Sequence, residues 1–156
     1  MSSSKSAASP ARALTTAALR YARVGVRSTR DVLTYLERRG ASPNTVARIL
    51  ADCRALGLLD DQAAARLWAE QWARRGYASA AIRMKLQAKG FDARVSDEAA
   101  ARVGPASDDE PRARLIAAAA LRRPRSRPGR SQRLARLLAS RGFDSDLIER
   151  VLAHPQ

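Results

Sequence analysis

The chain has 156 residues, of which 46% are apolar and only 4% aromatic, and it carries a net charge of +14. This suits one compact domain or a short array of repeats with a core of Ala, Leu, Val and Ile, and the abundance of alanine favours helix over sheet. The longest apolar run, Leu115 to Leu121, falls far below the ~20 residues that span a bilayer, and a single cysteine cannot form an internal disulfide.

Caps and stops divide the chain in order. Residues 1–8 are rich in Ser and Ala and are expected to be disordered. Ser9-Pro10 opens a helix to about Val24, and Ser28 with Asp31 forms a capping-box pattern for a second, closed by Gly40. Ser42-Pro43 starts a third that ends at Gly57. Asp60 or Asp61 caps a fourth ending near Gly76, and Ser79 caps a fifth ending at Gly90. Asp92 opens a weaker sixth that stops by Gly104-Pro105. Asp108 to Pro111 begins a seventh, broken before Pro124. Ser131 opens an eighth, stopped by Gly142, and Asp144 caps the ninth. No segment alternates as a strand does.

Three of these stops share a pattern: Leu36 to Gly40, Leu86 to Gly90 and Leu138 to Gly142 each place leucine four residues before a basic residue–glycine stop. A basic residue in the last turn complements the negative end of the helix dipole, and the glycine takes the left-handed backbone that ends the helix. Val32, Ile82 and Leu134 stand eight residues before the glycines. Val46, Ile49 and Leu50 follow the first, and Ile148, Val151 and Leu152 follow the third. Ser96, Ala99 and Ala100 make the second copy the weakest match. The expected fold is all-α: three tandem three-helix repeats in an elongated, curved array, over residues 9–58, 59–106 and 107–156 after the tail.

The charge is unevenly placed. From Pro111 to Phe143 there are ten arginines and no acidic residue, a distribution that points to a nucleic-acid or nucleoprotein contact. Arg74 and Arg75 end the fourth helix, and Arg83, Lys85 and Lys89 follow on the fifth. The intervening turn, Gly76 to Ser79, is expected to leave backbone N–H groups free for an anion. Arg122, Arg123, Arg125, Arg127 and Arg130 crowd a Pro/Gly-containing segment that reads as an exposed loop, with Arg133 and Arg136 on the helix beyond. Trp68 and Trp72 share a helix face with Leu67 and read as core.

Catalytic chemistry is sparse. His154 is a lone histidine near the end of the sequence, Cys53 reads as a buried small hydrophobe, and no phosphate loop or metal-ligand spacing is present. A binding module is expected, with no enzyme activity, cofactor or metal.

Two segments resemble the RecX family of bacterial regulatory proteins. Gly57-Leu58-Leu59-Asp60-Asp61, followed by Ala65, Arg74-Arg75-Gly76, Ile82, Leu86 and Lys89-Gly90, looks like that family's central repeat. Arg133 to Asp144 is similar to its C-terminal segment. The resemblance covers roughly residues 12 to 153, and departs at Ala64, where the family usually has an aromatic, and in the small residues of the sixth helix. It implies a monomeric protein that lies in the groove of the RecA recombinase filament on DNA. There it would inhibit filament growth, ATPase, strand exchange and co-protease activity, and so act in DNA repair, recombination and SOS regulation. The basic residues named above are then the candidate filament contacts, with weak direct DNA binding beside them. Cytoplasmic location without a membrane partner is expected, since the start of the chain also lacks a signal-peptide pattern. Two other readings stay open: a basic helical protein acting directly on DNA, and a helical scaffold for an unrelated acidic protein.

Overall fold

The computed structural model describes residues 10–103, 108–122 and 129–154. Among them the chain forms nine α-helices and no strand: α1 (Pro10–Arg23), α2 (Thr29–Glu37), α3 (Pro43–Ala55), α4 (Asp61–Arg74), α5 (Ser79–Ala88), α6 (Ala93–Val103), α7 (Asp109–Leu121), α8 (Arg130–Ser140) and α9 (Ser145–Ala153). They fall into two compact units, one up to Ala64 and one from Ala65 onward.

The repeated motif supplies the core. Gly40, Gly90 and Gly142 all have left-handed backbone, which L side chains avoid. The leucines four residues before them, Leu36, Leu86 and Leu138, are completely buried. In the first unit α1, α2 and α3 all touch one another, around Ala18, Val32, Leu36, Ile49 and Cys53. Burial there raises the Cys53 thiol pKa, with Asp52 adding to the shift and Arg54 opposing it, so the cysteine is the buried hydrophobe its sequence context suggested.

In the second unit α7, α8 and α9 repeat that mutual packing, around Ala113, Ala117, Leu134, Leu138 and Val151. Helices α5 and α6 pack closely. The small residues of α6 are buried there, with Ser96 fully inaccessible; short side chains permit that approach without large apolar groups. The Ser96 hydroxyl has no hydrogen-bond partner among the described residues.

Most caps match the sequence signals. Ser28 and Asp31 form a reciprocal capping box, Ser42 Oγ accepts from Thr45 N, and Asp60, Asp92 and Asp144 accept from Ala63, Val95 and Leu147 backbone N–H groups. Two expected caps are corrected. Ser79 does not cap α5; Ala78 holds the N-cap position without a side-chain bond, and the Ser79 N–H donates to Asp109 on α7 at 3.1 Å. Ser131 does not open α8. The helix begins at Arg130 after left-handed Gly129, and the Arg130 guanidinium donates to the Ala120 and Leu121 carbonyls at the end of α7.

Candidate partner-binding surface

The second unit gathers several of the candidate cations around an aromatic cluster. Trp68 and Trp72, one turn apart on α4, have ring centroids 5.6 Å apart. Lys89 Nζ lies 3.9 Å above Trp68. Lys85 Nζ lies 4.5 Å from Tyr77 and 5.7 Å from Trp72, and the Arg141 guanidinium covers Tyr77 at 4.9 Å. Each cation meets the negative face of a ring, an attraction of about 0.5–1 kcal/mol at exposed sites. Thus α5 contributes Lys85 and Lys89, the α4–α5 turn contributes Tyr77, and the end of α8 contributes Arg141. Trp72 is buried as the sequence suggested, but Leu67 is 53% exposed and does not share its core position.

The other candidates are dispersed. Arg74 and Arg75 are exposed at the end of α4, where Arg74 makes a 3.3 Å surface bridge to Glu70. Arg83 faces Asp97 at a loose 3.8 Å. Arg122 is exposed as the C-cap of α7. Arg133 and Arg136 are exposed on α8, with Arg136 Nε donating to the Gln132 carbonyl at 3.4 Å. Arg130 is engaged by α7, as described above. Arg123, Arg125 and Arg127 lie outside the described residues. His154 is exposed, and its carbonyl accepts from Arg114 at 2.7 Å.

The turn before α5 is not the anion site expected from sequence. Its N–H groups are already satisfied: Tyr77 N by the Trp72 carbonyl, Ala78 N by the Arg141 carbonyl, and Ser79 N by Asp109. Asp109 also pairs with Arg112 at 2.9 Å, and Arg112 in turn donates to the Tyr77 carbonyl at 3.0 Å. Burial raises the Asp109 carboxyl pKa; the Ser79 N–H and Arg112 oppose that shift, and Asp144 and Asp108 reinforce it. The same device recurs in the first unit, where Thr29 N donates to Asp61 at 2.7 Å. In both places the first acid of a later helix caps an earlier one, a packing joint and not a ligand site.

Sequence reasoning passed over Tyr77 and Arg141, and over a second set in the first unit. There Tyr21 and Tyr35 stack at 4.2 Å with planes 13° apart. Arg27 covers the Tyr21 ring at 4.4 Å, and Arg39 covers the Tyr35 ring at 3.8 Å. The spacing of Tyr35 and Arg39, one helical turn apart, was the available signal; the Tyr21 contact joins two helices and had none. No group of three metal-binding side chains occurs among the described residues, and none of their helices is long and apolar enough to cross a membrane.

Comparison with known proteins places this geometry. Residues 60–99 match the second three-helix domain of RecX, and residues 108–152 match the third. Regulatory protein RecX of Mycolicibacterium smegmatis is 30% identical over 146 residues, spanning 86% of this chain and 75% of that protein. Regulatory protein RecX of Streptomyces coelicolor is 30% identical over 129 residues, spanning 81% and 68% respectively. A crystal structure of regulatory protein RecX superposes with a TM-score of 0.72 at 24% identity, covering 92% of this chain and 72% of that one, a likeness of fold.

Proposed function

The chain belongs to the RecX family of regulatory proteins, and from that premise we propose that it binds the RecA filament on DNA and inhibits its growth. Loss of filament lowers the ATPase, strand-exchange and co-protease activities that require it, which makes the protein a regulator of recombination, repair and the SOS response. The observation that carries the contact surface is the convergence of Lys85, Lys89 and Arg141 on the Trp68–Trp72–Tyr77 cluster. Rings beneath the cations restrict their motion, so less side-chain entropy, up to about 2 kcal/mol per long side chain, remains to be lost on binding.

Arg74, Arg75, Arg83, Arg122, Arg133 and Arg136 extend the positive surface on neighbouring helices. A nucleoprotein filament repeats its acidic and phosphate groups, so many weak contacts add through high effective concentration. No residue of the chain is assigned a catalytic role, and the protein acts in the cytoplasm, as a monomer, by occupying the filament.

The deciding measurement is RecA's single-strand-dependent ATPase with the protein titrated in. Substoichiometric inhibition is expected, and Lys85→Gln with Lys89→Gln should raise the concentration needed for half inhibition about five- to thirtyfold, each of the two lost contacts counting for about 0.5–1 kcal/mol. Unchanged ATPase and filament length across the titration would exclude the reading.

A further inference from the structure

The first unit carries a charge pattern unlike that of the second. Between residues 10 and 64 there are nine arginines, no lysine and five acidic residues. Three of those acids are already used as helix caps: Asp31 accepts from Ser28 N, Asp60 from Ala63 N and Asp61 from Thr29 N. Among the described residues, every ion pair lies in the second unit. Among the described residues, the guanidinium groups of the first unit therefore have no carboxylate of that unit within salt-bridge distance.

Two of them are held in a fixed geometry. Arg27, Tyr21, Tyr35 and Arg39 form a continuous stack with successive spacings of 4.4, 4.2 and 3.8 Å. Arg27 Nε is tied to the Val24 carbonyl at 3.1 Å, and Arg39 is exposed at the opposite end. The planar Arg39 guanidinium, 3.8 Å from the Tyr35 centroid, has N–H groups for phosphates and a flat surface for another planar group.

Beside Arg39 lies a hollow of about 560 Å³, lined also by Leu14, Ala17, Gly40, Ala41 and Ser42. Its size is within the ~300–1,000 Å³ range of small-molecule sites. Ala41 follows Gly40 where the other two copies have Phe91 and Phe143, both buried. At this position the first copy presents a methyl group in place of a ring.

We propose that this stack and hollow form a binding site for single-stranded nucleic acid, with an unpaired base lying against Arg39 in the hollow and phosphates meeting the guanidinium edges. Bases of single strands stack on arginine planes as well as on aromatic rings, and a cationic surface that tracks the backbone supplies sequence-independent affinity. An acidic protein surface would satisfy the charge but would leave the flat face and the hollow, lined by both apolar and polar groups, unused. The site lies outside the cluster assigned to filament binding, and its test contains no RecA, so either reading can fail alone.

The experiment measures fluorescence anisotropy of the full chain with a labelled oligothymidine and with an abasic strand of equal length, at ~150 mM salt where pure phosphate binding is weak. The base-bearing strand should bind about fivefold tighter or more. Arg39→Lys keeps the charge but removes the plane, and Ala41→Phe fills the hollow; each should erase that advantage while leaving the salt slope unchanged. Arg27→Gln with Arg39→Gln should make the salt slope shallower by about 1.4, at about 0.7 per phosphate contact. Equal affinity for the abasic strand overturns the proposal, as does a full base-dependent advantage in Arg39→Lys. Displacement of the strand by polyglutamate of equal charge as readily as by unlabelled oligothymidine assigns the surface to an acidic protein instead. Arg39 is exposed and outside the core, so its variant decides the question even if Ala41→Phe proves unstable.

Discussion

Gly40 in the first unit and Gly142 in the second stop equivalent helices with the same left-handed backbone, at φ +71° and +82°, yet their surroundings differ. A Cβ on Gly142 would overlap the Ala81 Cβ of α5, whereas one on Gly40 would meet nothing within 4 Å. The Gly142 turn is part of a joint: the Arg141 carbonyl accepts from Ala78 N, and Asp109 and Arg112 clamp the start of α5 from α7. The Gly40 turn instead borders a hollow. One repeated motif thus serves as an internal contact in one place and as open surface in another. Its glycine is required for backbone conformation in both and for space in only one.

That contrast gives the largest expected effect. Gly142→Ala should destabilise the fold by about 2–5 kcal/mol, combining ~1–2 for a left-handed alanine with ~1–3 for forcing α5 and the turn apart. Gly40→Ala should cost only the conformational part, about 1–2 kcal/mol. Urea midpoints at constant m-value provide the comparison. Equal losses at the two glycines would mean that the Gly142 turn has room to move and the joint is not tight.

The two aspartate joints sharpen the same comparison. Asp109→Ala leaves the Ser79 N–H and the largely buried Arg112 without their acceptor, and should cost about 1–3 kcal/mol. Asp61→Ala removes one acceptor from Thr29 while the Ser28–Asp31 capping box survives, so about 1 kcal/mol is expected. Asp109→Asn retains an acceptor and should fall well below the alanine variant. It also tests the proton linkage. The folded-state carboxyl pKa of Asp109 is raised above 3.8, mainly by burial, so the folded chain holds that proton more firmly than the unfolded one. Relative to Asp109→Asn, the parent should lose stability as pH rises through the window just above 3.8. The opposite slope would show that the pair with Arg112 outweighs the burial.

These joints also mark where the sequence stops being legible. Helix stops, most caps and the buried leucines follow from chemistry local to a few residues, and so they could be read directly. The true partner of Ser79 N is thirty residues away on α7, so a local serine looked like the cap. Arg130 read as part of a loop of partner contacts because nothing local reveals that its guanidinium closes the end of α7. The family resemblance rests on the central and C-terminal motifs, and the matches to residues 60–99 and 108–152 fall there. The Tyr21–Tyr35 stack joins side chains from two helices, a pairing that periodicity along one helix does not encode.

The smallest expected change in stability is at Arg74, and it separates surface charge from structural charge. Arg112 and Asp109 are only 15% and 17% exposed, whereas Arg74 is 79% exposed against a Glu70 that is 45% exposed. Water screens the exposed pair and leaves both side chains free to move, so its loss should change stability by no more than about 0.5 kcal/mol. Arg112→Ala, by contrast, strips a carboxylate and the Tyr77 carbonyl of their donor in a partly desolvated joint, and about 1–3 kcal/mol is expected. Thermal melts of the two variants check the stability half. The functional half runs the other way: if the exposed end of α4 meets the filament, Arg74→Ala with Arg75→Ala should weaken inhibition of RecA's ATPase while the melting curve stays in place. An unchanged titration with an unchanged melt would confine the filament contact to the cations held on aromatic rings, and would leave Arg74 and Arg75 as solvated charges that complement the end of their own helix.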